Sequence, residues 1–449
     1  MAAPFSKSAQ TAAGAFGELF QYTYADVIIK LLDTVDDLEK WIDSVDIADW
    51  NGGDSLYQLY KTAEGSGSRF VSGGPGSSAP VLPKYNPPAY KESTVRLFPH
   101  MDIVEITGPK LLRAHDKPGM YRQLMDELVQ DAKDSHRNRV GPKYWWGTSG
   151  AADSNSGVLA LVNGATSSST TVVLKQRECD ASLYSGTKAY MSAYAGARYI
   201  RPGMQLAIGT AAELSGNTAP TTTVVSVNQS TQTVTLADAV TLADNDYVVE
   251  GDANGNEYGN VLTGMHDAVN NTGTYHGIDK AANSSWQSFI TDNSNNLRDF
   301  NSFRITSLLM EMSDLGPKDV DEMDPVIFSH NSLLQVYLQE IEPVYMQADL
   351  KALKGHTTIA YQYGAKQIPW QTARSHPLNS YHVLDRSSLK RLRLGDYGWD
   401  TSTGGIWKQI PGTFAFQAYA YNEIELVCEN PRCQGKEEDI RVPTGLIKT

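Results

Sequence analysis

The sequence predicts an α+β protein of several domains, and three features of the chain indicate this class. First, an extended Gly-, Pro- and Ser-rich segment from Gly65 to Lys117 runs directly into an amphipathic helix. Second, the region from Val158 to Glu250 has the period-two alternation of β-strands. Third, helix and strand patterns alternate after Gly264.

Residues 1–64 are predicted to form an N-terminal arm followed by a helix. The opening segment is small and polar, which indicates an arm that becomes ordered on a partner. From Tyr24 to Ser44, apolar residues recur at helical spacing with acidic residues between them. These apolar positions are Val27, Ile28, Leu31, Leu32, Val35, Leu38 and Trp41.

Residues 65–110 are predicted to form an extension loop. Its flanks have strand character, with alternation at Val95, Leu97, Ile103 and Ile106, whereas the glycines and prolines of its tip exclude a helix or a central strand. A segment of this length without a core of its own is uncommon in a compact domain unless it is functional or bound to something else. The pattern therefore predicts an arm that lies on a neighbouring molecule.

Residues 111–157 are predicted to contain a long helix, from Pro118 to about Val140. Pro118 suits the first helical turn, and Gly141-Pro142 suits the end. The predicted apolar stripe consists of Met120, Leu124 and Leu128, with Met125, Val129 and Ala132 beside them.

Residues 158–260 are predicted to form a β-rich module. The segments LALVNGATSSSTTVVL and TVVSVNQSTQTVTLA each have the pattern of a β-hairpin, with NGATSSS and NQST as the turns. Another strand is predicted to start at residues 201–204, and residues 246–250 are predicted to close the sheet.

Residues 261–400 are predicted to combine helices and strands, and residues 401–449 to return as strands. A helix from Leu297 to Ser313 ends before Gly316-Pro317, and DPVIFSH has the pattern of a buried strand. Asn331 is predicted to cap the next helix, which has Leu334, Leu338 and Ile341 on its inner side. The segment AFQAYAYNEIELVC alternates as a strand should.

The composition excludes several classes of protein. The 449 residues are 41% hydrophobic and 20% charged, which is typical of a folded protein with more than one core. A net charge of −13 argues against an extended grip on nucleic acid, which needs clustered Lys and Arg. Three cysteines are too few for a disulfide framework and favour a reducing compartment. No segment has the pattern of a signal peptide or a membrane span, so we expect a protein that stays in the cytoplasm where it is made.

A search for metal, phosphate and catalytic sites finds only weak candidates. Asp252–Asn256 resembles the start of a calcium loop but lacks the required Gly and Glu, so a polar turn is the better interpretation. The Gly-rich tip lacks the Lys of a phosphate loop. Cys428 and Cys433 have no second ligand pair nearby in sequence and are interpreted as buried or incidental thiols. The sequence therefore predicts no metal site and no cofactor.

No convergent catalytic set is present either. The nine histidines are scattered and are interpreted as polar core or surface residues. Asp36-Asp37 and Glu437-Glu438 lie in polar stretches and are interpreted as solvated charge. Tyr144-Trp145-Trp146 is interpreted as packing at a helix end in preference to a sugar-binding platform. We therefore expect a protein that is not an enzyme.

The order of these elements, together with two local segments, resembles the major capsid proteins of tailed bacteriophages, which have the HK97-like fold. GTYHGIDKAANSSWQS, from Gly273 to Ser288, is similar to a glycine-rich turn followed by an aromatic-Gly-Ile-Asp segment in that family. LVCENPRCQGKEEDI, from Leu426 to Ile440, is similar to its closing Asn-Pro-Arg-x-Gln-Gly segment. Together with the order of the elements, the resemblance covers roughly three quarters of the chain.

The resemblance implies an architecture. It assigns 65–110 as the extension loop, 111–157 as the spine helix and part of the peripheral domain, and 261–400 as the axial domain around capsomer centres. Residues 401–449 would be the returning strands of the peripheral domain. The module 158–260 exceeds the minimal fold, and two placements stay open for it: an outward β domain or an enlarged peripheral sheet.

The resemblance also implies a function and partners. The chain would assemble with itself into hexamers and pentamers and form the icosahedral, double-stranded-DNA-containing head of a tailed phage, in the bacterial cytoplasm, without sequence-specific DNA binding or membrane contact. It implies a portal and a scaffolding protein, the latter separate because the N-terminal arm is short, and it leaves a decoration protein open. Capsid subunits of that family sometimes form covalent crosslinks between a loop lysine and a distant asparagine. Lys84 and Lys91 lie in the corresponding region, but no partner Asn can be singled out, so noncovalent assembly is expected.

Four basic residues are predicted to contact a neighbouring subunit, because they punctuate an extended segment of an acidic chain: Arg69, Lys84, Lys91 and Arg96. A merely solubilising role is the alternative, since exposed ion pairs are individually weak. Two other function classes also stay open. A β-rich adhesin, tail or decoration component would use similar strands and arms but would not need the helix and strand unit of 297–346, and a hydrolase would need a catalytic set that the sequence lacks.

Overall fold

The computed structural model describes residues 38, 41–46, 56–63, 65–66, 68, 84–109, 135, 139–147, 157–179, 190, 195–345, 359–399 and 408–442. The structure is of mixed α+β type, with many strands and few helices, as the sequence predicts. Most of the predicted helix at 24–44, most of the spine helix and the tip of the extension loop lie outside the described residues. Asp43 and Ser44, predicted as helix, belong instead to strand β1 (Asp43–Asp46).

A five-stranded sheet joins distant parts of the chain. Its long central strand, β21, pairs antiparallel with β4 from Phe98 opposite Ile424 to Thr107 opposite Ala415. The strands are β1, β4 (Phe98–Thr107), β19 (Leu389–Trp399), β20 (Lys408–Gln409) and β21 (Ala415–Cys428). In the predicted alternation, Val95, Leu97 and Ile106 are buried, but Ile103 is 62% exposed. Ile103 and Ile106 are three residues apart, so a strand places them on opposite faces.

The predicted β-rich module contains a closed antiparallel barrel. Strand β10 pairs with β5 on one side and with β7 on the other, which closes a ring in the order β10-β5-β6-β9-β8-β7. The strands are β5 (Val158–Val162), β6 (Thr166–Lys175), β7 (Gln205–Gly209), β8 (Thr221–Asn228), β9 (Thr233–Leu242), β10 (Tyr247–Asp252) and the short β11 (Gly255–Asn256). Alternate residues fill the interior, so closure satisfies the backbone of every ring strand without leaving edges. A short helix, α1 (Ala211–Ser215), follows β7.

The second sheet has six strands, in the order β14-β22-β18-β15-β17-β16, with two helices packed against it. The elements are β14 (Phe289–Thr291), β15 (Pro325–Ser329), β16 (Ile359–Tyr363), β17 (Lys366–Thr372), β18 (Tyr381–Asp385), β22 (Gly435–Glu437), α3 (Ser302–Leu315) and α4 (Asn331–Tyr345); a short helix, α2 (Met265–Ala268), and the hairpin β12 (Thr274–Tyr275) and β13 (Ile278–Asp279) precede them.

The helix boundaries differ from the predicted ones at their starts. Helix α3 begins at Ser302 instead of Leu297, because the side chain of Asn301 caps it by accepting from the backbone N–H of Phe303. The cap of α4 is His330 instead of Asn331. Its Nδ1 accepts from the backbone N–H of Ser332 at 3.2 Å. Both predicted helices are present, and the predicted end of α3 before Gly316 is confirmed.

An aromatic core lies where the two sheets and helical residues 139–146 meet, and the helix therefore continues past its predicted end at Gly141-Pro142. Tyr144, Trp145 and Trp146 are all buried there, which confirms that this cluster packs at a helix end. The centre of the Phe328 ring in β15 lies 5.9 Å from that of Trp145 and 5.0 Å from that of Trp41. None of the described helices has the length and hydrophobicity needed to cross a bilayer.

Candidate interaction surfaces

The extended segment forms an antiparallel hairpin of β2 (Leu56–Ala63) and β3 (Ala89–Val95). A further bridge joins Ser66 to Asn86, so the pairing continues toward the tip. Strand β2 lies before the predicted start of the extension loop at residue 65. The register places Tyr57 opposite Thr94 and Leu59 opposite Glu92 on one face, while Tyr60 opposite Lys91 lies on the other.

The inner face of the hairpin is anchored to the body of the same chain. The rings of Tyr60 and Trp286 are 4.6 Å apart, and Ser285 Oγ donates to the carbonyl of Thr62 at 2.8 Å. The backbone N–H of Thr94 donates to the carbonyl of His276 at 2.9 Å. His276 and Gly277 make the β12–β13 turn with φ values of 47° and 81°, the pair of left-handed residues that a tight hairpin needs. The GTYHGIDKAANSSWQS segment therefore supports the hairpin base.

The outer face of the hairpin is apolar and exposed. Exposure rises from 58% for Tyr90 and 63% for Tyr57 to 75% for Leu59, and Tyr85 nearer the tip is 68% exposed. Large side chains grouped on one face in this way mark an interaction site. The sequence analysis singled out the charges of this segment and missed these aromatic residues, although the i, i+2 spacing of Tyr57 and Leu59 was a usable signal.

A second exposed apolar surface lies on the outer face of β4 and β21. Met101 is 61% exposed, and its register partner, Tyr421, is 45% exposed. Ile103 continues this face along β4. Among the described strands, β4 pairs only with β21, and none of them pairs with its other edge. Open edges and apolar faces favour contact with another chain.

The four predicted contact residues lie on or near the hairpin. Arg69 is outside the described residues. Lys84 and Lys91 are exposed, the latter beside Tyr60 in the register. Arg96 is exposed and its guanidinium stacks 5.7 Å from the centre of the Phe98 ring. The structure thus places Lys84 beside the exposed Tyr85 and Lys91 on the face of Tyr60, while Arg96 belongs to the connection into β4.

A buried ionic cluster corrects one sequence interpretation. Glu437 is 1% exposed, so its interpretation as solvated charge is wrong. Its carboxylate lies 3.0 Å from Arg298 and 3.3 Å from Arg304, and it accepts from the Tyr381 hydroxyl at 2.6 Å. Burial and the Glu437 charge raise the pKa of Tyr381 well above its usual range. The neighbouring Glu438 is half-buried and pairs with Lys436 at 2.8 Å.

The remaining candidate groups are structural. The Asp252 carboxylate accepts from the backbone N–H groups of Asn254 and Gly255, which confirms a polar turn. Cys428 and Cys433 are buried free thiols. The buried rings of His376 and His382 are hydrogen-bonded, with 2.8 Å between Nε2 of His376 and Nδ1 of His382. Burial lowers the pKa of both well below the usual range. In the part of the chain that the structure describes, no three His, Cys, Asp or Glu residues are placed to hold a metal ion.

Comparison with known proteins returns capsids among solved structures. The chain is similar to the capsid asymmetric unit of cyanophage A-1(L), with a TM-score of 0.47 and 13% identity over 90% of this chain and 92% of that one. It is similar to the satellite phage P4 procapsid including the size determination (Sid) protein, with a TM-score of 0.39 and 9% identity over 96% and 97%. It is also similar to the capsid of Myoviridae phage XM1, with a TM-score of 0.38 and 8% identity over 90% of each chain. No protein-family model and no curated protein matches the sequence.

Proposed function

We propose that this chain is the major capsid protein of a tailed phage and that it assembles with itself into hexamers and pentamers of an icosahedral, DNA-containing shell. The observation that carries the proposal is the β2–β3 hairpin: its inner face is fixed to its own subunit, and its outer face exposes Tyr57, Leu59 and Tyr90. A rigid arm with an exposed aromatic face gains its free energy of burial only on another molecule.

The sequence resemblance supplies the kind of assembly. The similarity to capsid proteins includes the segment that anchors the hairpin and the closing segment that forms β22 and its flanks. In this proposal residues 65–110 act as the extension loop, 111–157 as the spine helix, 261–400 as the axial domain and 401–449 as returning peripheral strands. The barrel is an insertion into that framework.

The net charge of −13 supports a container for DNA and argues against a DNA-gripping protein. Each phosphate contact strengthens binding, so an acidic chain leaves packaged duplex free to slide. We propose a structural role without catalysis, partnership with a scaffolding protein and a portal, and final residence in the virion.

The experiment is to measure the mass of the purified protein by analytical ultracentrifugation and native mass spectrometry, with negative-stain images of the same sample. Closed shells or rings of five and six subunits are expected. A stable monomer under all assembly conditions, including added scaffold, contradicts the proposal, whereas fibres or a single fixed ring favour a tail component.

A further inference from the structure

A cleft between the inserted barrel and the outer face of β4 has the form of a docking site. Its volume is ≈ 730 Å³, within the range of pockets that enclose a few large side chains. Pro99 and Met101 line the sheet side, and residues of β7, β10 and the β10–β11 turn line the barrel side. One wall is therefore apolar and the other polar.

Ion pairs fix the carboxylates on the barrel side of the cleft. Arg139 Nε lies 3.0 Å from Glu250 Oε1, and Lys143 Nζ lies 2.5 Å from Glu257 Oε1. Burial works to lower the pKa of Lys143, but the charges of Glu257 and Glu250 outweigh burial and raise it, so this lysine stays charged. Arg139 and Lys143 therefore position the carboxylates of Glu250 and Glu257 in this wall before anything binds.

Further negative charge remains at the mouth of the cleft. Asp252 is exposed, and its Oδ1 accepts backbone N–H groups at 2.7 and 3.2 Å, which fixes the carboxylate at the β10–β11 turn. Glu423 lies opposite Pro99 in the β4–β21 register, so it adds an acidic group on the same outer face. The cleft thus suits a ligand that is aromatic or apolar on one side and basic on the other.

The projecting end of the β2–β3 hairpin has that chemistry. Tyr85 and Tyr90 are mostly exposed, and Lys84 is exposed next to Tyr85. Tyrosine rings pack well against proline and against the polarisable sulfur of methionine, and ammonium groups make charge-assisted hydrogen bonds with carboxylates. None of the described hairpin residues lines the cleft of its own subunit.

We propose that this cleft receives the projecting end of the β2–β3 hairpin from a second copy of the chain. Tyr85 or Tyr90 packs on Pro99 and Met101, and Lys84 pairs with Asp252. The inserted barrel then forms one side of a contact between two subunits. The inference rests on the proposed self-assembly and names the surface that the hairpin contacts.

The direct test uses the wild-type chain. Unlabelled and heavy-nitrogen-labelled copies are mixed, assembled and treated with a zero-length carbodiimide crosslinker, and the joined peptides are read by mass spectrometry. We expect peptides that join Lys84 of one isotope to Asp252 of the other. Assembled particles in which these peptides are absent, or always of one isotope, overturn the docking site and leave the proposed function intact. If the wild-type chain does not assemble at all, both fail.

A thermodynamic cycle tests the same contact by a second route. Lys84→Ala and Asp252→Asn are combined, the latter keeping the Oδ1 acceptor that the turn needs. We expect each single variant to lower the assembled fraction several-fold and the double variant to lower it no further than the stronger single one. Asp238→Asn is the matched control, because Asp238 is an exposed barrel aspartate that does not line the cleft. Additive losses, or an equal loss in the control, contradict the contact.

Discussion

Glu425→Gln should remove a loss of stability that the wild-type protein shows as the pH rises. Glu425 is fully buried in β21; its Oε1 accepts from the backbone N–H groups of Thr263 at 2.8 Å and Leu426 at 3.1 Å. Its Oε2 is buried without a hydrogen bond among the described groups. Burial raises the pKa of this carboxyl from 4.5 to about 8, so the folded protein holds it neutral at pH 7.

The sign follows from proton binding. Between the unfolded pKa of 4.5 and the folded pKa of about 8, the folded state binds the extra proton, so its stability falls as the pH rises through this window. Each pH unit is worth about 1.4 kcal/mol, which gives roughly 1.5 kcal/mol between about pH 6.5 and pH 8 once partial ionisation is included. The buried histidines still contribute near pH 6.5, with the opposite sign, but they do so equally in wild type and Glu425→Gln, so the difference in stability between the two proteins isolates the carboxyl. Burial lowers the pKa of His276 to about 4 and of His330 to about 3, so they oppose folding as the pH falls through their unfolded value of 6.5.

The assay is urea unfolding of dissociated subunits at a series of pH values, followed by tryptophan fluorescence, because Trp145, Trp146 and Trp286 share a core with Leu426 beside this site. From pH 6.5 to pH 8 the stability of the wild type should fall relative to that of Glu425→Gln by roughly 1.5 kcal/mol. Glu429→Gln, which changes a half-exposed carboxylate on the Lys390 ion pair, is the control and should follow the wild type. Parallel curves for wild type and Glu425→Gln would refute the reasoning.

Three further outcomes are expected. Deleting residues 67–88 should leave a folded subunit by circular dichroism but prevent closed shells in electron micrographs; normal shells from the deletion variant would contradict the role of the loop. Amide exchange in assembled particles should show residues 158–256 as one protected block, whereas protection that varies together with α3 and β15 would argue against a separate module. Glu437→Ala should cost about 1–3 kcal/mol of unfolding free energy because it removes the buried acceptor of the Tyr381 hydroxyl and of two partly buried arginines, while Asp299→Ala at an exposed pair should cost less than about 1 kcal/mol; similar urea midpoints for the two would show that the Glu437 cluster contributes little.

The sequence by itself determined the elements whose signal is local. The alternation of residues 415–428, the helix that ends at Gly316 and the strand at 325–329 all follow from side-chain period and from Gly or Pro stops. The two hairpins of the barrel were also visible, because each pairs segments close in the chain, although residues 166–169 of the predicted first turn belong to β6. Burial of Tyr144, Trp145 and Trp146 followed from their position at a helix end beside a core.

Only the tertiary structure decided what depends on distant partners. Residues 246–250 were predicted to close a sheet, but that β10 pairs with both β5 and β7, and so makes a barrel, is a property of chain closure that no period records. Glu437 resembles a solvated acid in sequence and is buried only because Arg298 and Arg304, more than a hundred residues earlier, converge on it. The cleft joins Met101 to Glu250 in the same way. Local patterns set which face of a strand is apolar, whereas the contacts that make a face a core, a salt-bridge cluster or an exposed surface form between segments that the sequence keeps far apart.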